Sequence, residues 1–258
     1  MRIKVKTIGN IICLPIMAAF ITAVIFGNTF ELEKVKMRKG TWSCPKNTDV
    51  YLANTNDYIH KSMPTFSQIS GTSNTFCAAI WRMIIGAVSG LRIFVLPFVY
   101  YKEFVGFKRK LIVFSTVGEA VGIMGLTFTF TMSPNNLMEE ISKFDSDWRS
   151  LFDEFSMFNE LIHVFFFVVY MFSVMASMFC FAMKYERLKT TAGVWGIVVF
   201  LYVSSWIYRK NFCLWYIWSA SICFQYTMIF LTIYFTRKLL VDILGENLLT
   251  LELNSKNE

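Results

Sequence analysis

The chain has 258 residues, of which 55% are hydrophobic and only 17% charged, and 27 of them are Phe. A soluble globular chain carries about 25% charged and about 45–50% apolar residues, so a soluble protein of this size has too little charge to cover so much apolar side chain. Disorder, collagen and a small disulfide scaffold are excluded by the same figures, which leaves a polytopic membrane protein.

A helix that crosses the hydrocarbon core needs about 20 mostly apolar residues. The first such run is 7–30, which is uncharged. It follows Arg2, Lys4 and Lys6, but is too long for the apolar part of a cleaved signal peptide, so it reads as a retained span. Residues 77–101 supply the second span and contain Arg82 and Arg92. The third, 111–132, is apolar apart from Glu119. The fourth, 161–183, has no formal charge and one histidine, His163. The fifth and sixth, 190–208 and 211–236, are uncharged and separated only by Arg209 and Lys210. The expected fold is therefore an all-α bundle of six transmembrane helices in a single membrane domain, 1–258. Its long connections are 31–76 and 133–160, and the run Leu239–Leu244 is expected as a short interfacial helix.

The net charge of +7 raises nucleic acid as a partner in principle. No basic stripe interleaved with exposed aromatics is present, so nucleic acid is not expected. Positive-inside bias explains the excess better. Lys102, Lys108, Arg109 and Lys110 lie between spans two and three, Lys184, Arg187 and Lys189 between four and five, and Arg237 and Lys238 after six. All fall on the side of the basic N-terminus, which predicts cytoplasmic termini and lumenal loops at 31–76 and 133–160.

Charges inside the bilayer are costly and should face the bundle or a wet cavity. Counting about 1.5 Å per residue from each helix end puts Arg92 and Glu119 in the same leaflet, at a depth where they can pair. Arg82 falls in the opposite leaflet, near Glu160 and His163. These groups either fix helix packing or line a polar site for a lipid head group, with Arg82 offered to a phosphate. Gly86 and Gly90 repeat below Arg82, while Gly118, Gly122 and Gly125 share a face with Glu119, as Ser173, Ser177 and Cys180 do on span four. Small faces of this kind predict close helix packing.

Cys13, Cys180 and Cys223 read as small packing residues. Cys44 and Cys213 fall on the lumenal side, where they either join in a disulfide or remain thiols. No Cys/His spacing suits a metal, no glycine-rich loop suits a phosphate cofactor, and no nucleophile motif occurs. Catalysis has only weak candidates: Glu119, and Glu160 with His163 one helical turn on.

An ordered set of short segments does suggest a family. Trp81-Arg82-x-x-Ile85-Gly86-x-x-Ser89-x-x-Arg92 resembles the second-helix signature of the FGF-receptor-activating-protein/DRAM/Sfk family, nearest its post-GPI-attachment-to-proteins factor two branch. Cys44 and Pro64-Thr65-Phe66-Ser67-x-Ile69-x-Gly71 resemble that branch's first lumenal loop, and Glu119 falls where it has an intramembrane glutamate. Asn159-Glu160 resembles a His-Glu pair with the histidine replaced. Tyr208-Arg209-Lys210-Asn211-Phe212-Cys213 is similar to an aromatic-Arg-His-Asn…Cys turn, and Phe224-Gln225-Tyr226 stands where Glu-Tyr is usual. The resemblance implies a Golgi or ER multipass factor in fatty-acid remodelling of GPI anchors, acting on GPI-anchored proteins and membrane lipid, itself or with an acyltransferase partner. Arg82, Arg92 and Arg209 would then meet lipid head groups. The departures at Asn159 and Gln225 remove two candidate proton-transfer groups. The family's DRAM branch implies the alternative, a non-enzymatic modulator of lysosome and autophagy function.

Overall fold

The computed structural model describes residues 2–30, 66–71, 75–129, 147–211, 215–245 and 248–250. Its helices are α1 (Val5–Asn28), a short α2 (Phe66–Gly71), α3 (Phe76–Tyr101), α4 (Gly106–Thr129), α5 (Asp147–Lys184), α6 (Glu186–Asn211) and α7 (Trp215–Arg237), which runs on as a π-helical turn, Lys238–Ile243. Six helices are long and apolar enough to cross a membrane, so the protein is an all-α multipass membrane bundle. The six pack in chain order as a closed ring: α1 on α3, α3 on α4, α4 on α5, α5 on α6, α6 on α7, and α7 back on α1. The least buried of them is α6.

The strand β1 (Arg2–Lys4) pairs antiparallel with β2 (Leu248–Thr250), Ile3 opposite Leu249, which joins these two segments at one end of the bundle. The turns at that end are short. Gly106 opens α4 at a φ of 60°, in the left-handed region that glycine tolerates. Only Tyr185 separates α5 from α6, its N–H donating to Phe181 O at 2.8 Å. At the other end Thr75 caps α3, its hydroxyl accepting from the Ala78 N–H at 3.3 Å.

Several boundaries differ from the sequence expectation. Residues 147–160, expected as loop, form the first turns of α5, whose apolar span begins at Leu161. At about 1.5 Å per residue, the 38 residues of α5 exceed the hydrocarbon thickness, so its polar start projects beyond the apolar layer. Asn211, placed at the start of span six, ends α6. Residues 66–71 of the first long connection are helical and inserted in the bundle end, with Phe66, Ile69 and Ser70 buried. The Leu239–Leu244 run is no interfacial helix: it continues α7, and Leu239, Leu240 and Leu244 are core residues. It docks where α1 has no side chain, since a Cβ on Gly9 would lie 2.7 Å from Leu240 Cβ.

The glycine faces divide. On α4 they allow close approach to α5: a Cβ on Gly122 would lie 2.8 Å from the Tyr170 backbone, and Cβ atoms on Gly118 and Gly125 would collide with Ser173 and Phe166. Among the described residues Gly86 and Gly90 pack no helix closely. A Cβ on Gly90 would meet nothing within 4 Å, and one on Gly86 only the Phe128 ring edge at 4.0 Å. Cys223 also departs from its expected packing role and is exposed, whereas Cys13 and Cys180 are buried.

Candidate functional site

Arg92 and Glu119 form an ion pair across the α3–α4 contact, with side chains only 9% and 10% exposed. Arg92 Nη2 donates to Glu119 Oε2. Both side chains point inward because α3 and α4 turn their apolar outer faces, with Phe94 and Phe114 at 74% and 75% exposure, to the lipid. Tyr100, Tyr170 and Cys13 are buried nearby. Removing one partner would leave an uncompensated charge in the interior.

Two small cavities flank the pair. One, of about 30 Å³, is lined by Arg92 together with Cys13, Trp81, Tyr170, Thr232 and Thr236. The other, of about 10 Å³, is bounded by Glu119, Tyr100, Ser177 and the same two threonines. A water needs roughly 10–15 Å³, so these spaces suit single waters and are far too small for a lipid head group. Arg92 Nε and Ser177 Oγ are buried without a hydrogen-bond partner. Arg92, one of the arginines expected at a head group, is thus committed to Glu119 in the core.

A second constellation lies at the end opposite the termini and is built around Phe66 of α2. The Phe66 N–H donates to Gln225 Oε1 on α7 at 3.1 Å. The Phe66 ring meets Trp81 edge-on at 4.7 Å, Phe20 at 5.2 Å and Tyr226 at 6.3 Å between centroids. Trp81 Nε1 donates to Thr127 Oγ1 at 3.3 Å, and Asn28 Nδ2 donates to the Tyr226 hydroxyl at 3.4 Å. Ile69 fills the space beside Gly27, where a Cβ would lie 2.6 Å away. Four helices, α1, α3, α4 and α7, are joined through this one inserted turn.

Arg82, next to Trp81 on α3, is half-buried, as is His163 near the apolar start of α5. The side chains of Glu160 and Arg209, and Cys44 and Cys213 altogether, lie outside the described residues. Among the described residues no three His, Cys, Asp or Glu side chains gather as a metal site.

At the terminal end a third cluster went unread in the sequence, where Lys184 counted only as a topological charge. Lys184 Nζ donates to Glu103 Oε2 at 2.6 Å and also to the Glu103 carbonyl, and the Tyr185 hydroxyl donates to the same carboxylate. This clamps the α3–α4 turn to the α5–α6 turn. The residues lie about 80 positions apart, so local spacing gave no sign of the contact.

No protein-family model, curated protein or solved structure matches the chain. What the fold establishes is the class, a multipass α-helical membrane protein with a buried intramembrane ion pair and an inserted turn closing one end.

Proposed function

We propose that the protein handles membrane lipid at the bundle end closed by α2, as a factor in fatty-acid remodelling of GPI anchors. One observation carries the reading. Three segments resemble the remodelling branch, and one residue or more of each meets at Phe66: Phe66 itself, Trp81 from the second-helix signature, and Gln225 and Tyr226 from α7. In this reading Arg82, beside the cluster and half-exposed, receives a head-group phosphate through charge-assisted hydrogen bonds. Arg209 serves the rim of the same end, while Arg92 and Glu119 hold α3 and α4 in register below it. In this reading the basic turns at the opposite end lie on the cytoplasmic side, as the positive-inside bias favours, with the α2 end lumenal and the membrane proposed as that of the Golgi or ER.

Mass spectrometry of the lipid on GPI-anchored proteins, from cells with and without the protein, tests the reading. Loss of the saturated acyl chain with accumulation of the lyso-anchor is expected on deletion, and rescue by the intact chain but not by Arg82→Gln. Unchanged anchor lipids would sink it.

A second reading, a non-enzymatic modulator like the DRAM branch, draws support from two residues. Glu119 is tied to Arg92, and Gln225 is a structural acceptor for Phe66, so neither offers a free proton-transfer group. Lysosomal localisation with unaltered anchor lipids would favour it.

A further inference from the structure

The α3–α4 turn displays apolar and basic side chains outward together. Val105 and Phe107 are each 77% exposed, among the most exposed large apolar residues described. Lys102, Lys108 and Lys110 around them are exposed, and among the described residues none of the three forms an ion pair. The turn's one acid, Glu103, points instead at α5, where Lys184 and Tyr185 engage it. The display is held stiff from behind. Arg109 Nε donates to the Phe104 carbonyl at 2.7 Å and its guanidinium lies 4.2 Å from the Tyr101 ring centroid, while Phe104 is buried against Phe181.

The positive-inside rule accounts for lysines in this turn but asks nothing of an apolar tip. A topological marker has no use for Val105 and Phe107 held out between three uncompensated cations. The apolar surface is also continuous with the bilayer side of the bundle, since Phe98 on α3 and Phe114 on α4 are exposed as well. That continuity puts the turn at head-group depth, where apolar side chains enter the acyl boundary and lysines meet lipid phosphates and carboxylates.

We propose that the Lys102–Lys110 turn is a docking site for the anionic phospholipids of the adjoining leaflet, with Lys102, Lys108 and Lys110 on the head groups and Val105 and Phe107 in the acyl boundary. The site lies at the opposite end from the α2 constellation and does not depend on its function.

Native mass spectrometry of the full chain, titrated in micelles with phosphatidylserine or with phosphatidylcholine, tests this. The intact protein should retain phosphatidylserine in preference. Lys102→Gln, Lys108→Gln and Lys110→Gln should each lower that retention about five-fold, without changing phosphatidylcholine binding or the melting temperature. Equal retention of the two lipids would overturn the proposal. So would an equal loss from Arg187→Gln with Lys189→Gln, which would mean a diffuse field instead of a site. An acidic peptide that binds the turn more tightly than phosphatidylserine would assign the surface to a protein and overturn it too.

Discussion

Arg92 on α3 and Glu119 on α4 form an ion pair in the interior of the membrane bundle, Arg92 Nη2 donating to Glu119 Oε2. Breaking a buried pair from one side costs about 3–5 kcal/mol, because the remaining charge stays buried. Arg92→Met and Glu119→Leu should therefore each lower the melting temperature sharply in detergent. The double variant Arg92→Met with Glu119→Leu should recover most of the loss, since a well-packed apolar pair of similar volume is often no worse than the ion pair. Non-additivity is the readout, and additive losses would mean that the two side chains do not act as a pair.

Gln225 on α7 has a structural role at the α2 end of the bundle. Its Oε1 accepts the buried Phe66 N–H. Gln225→Glu keeps an acceptor oxygen in the same place. It should preserve thermal stability at low pH, where the carboxyl is neutral, and lose it as pH rises and a buried charge must form. Gln225→Leu removes the oxygen and leaves a buried N–H unsatisfied, a cost of about 1–3 kcal/mol. The same variant should make 66–71 accessible to protease, because the α2 backbone loses its tie to α7. Protection unchanged from the parent would mean that the aromatic contacts hold α2 alone.

The glycine faces predict opposite responses to the same substitution. Gly122→Ala puts a Cβ 2.8 Å from the Tyr170 backbone, which cannot rotate away as a side chain would, so α4 and α5 must separate. Overpacking of this kind costs about 1–3 kcal/mol. Gly90→Ala meets nothing within 4 Å among the described residues and should leave the melting temperature unchanged. A matched loss from both would show that Gly90 packs against something the isolated chain lacks.

Those glycines also show what the sequence can reveal. The spans were legible because about 20 apolar residues in a row have one physical meaning in a chain this poor in charge. The Arg92–Glu119 pair was legible because helical rise converts sequence position into depth, and two opposite charges at one depth have a strong reason to meet. Spacing alone did not distinguish Gly90 from Gly122, since a small residue states that approach is possible and not that a neighbour is there. Nor did it reveal that Phe66 enters the bundle. A six-residue helix has too few turns for a periodic signal, and its position follows from distant partners, Gln225 and Trp81.

The clamp between the two turns at the terminal end carries a pH signature. Burial, and then the Glu103 carboxylate to which it donates, push the Tyr185 hydroxyl well above the ordinary tyrosine value of 10.0. The unfolded chain releases this proton near that value, while the folded chain retains it. The stabilisation is therefore complete below about pH 10 and is lost as pH rises from there through the folded pKa. Melting temperatures of the parent and of Tyr185→Phe, measured in the same detergent, isolate the contribution because other alkaline titrations are common to both. At neutral pH the variant should be less stable, having lost a hydrogen bond to a charged acceptor. As pH rises above about 10 the difference should shrink. A gap that stays constant with pH would mean that the proton the hydroxyl shares with Glu103 is not what stabilises the clamp.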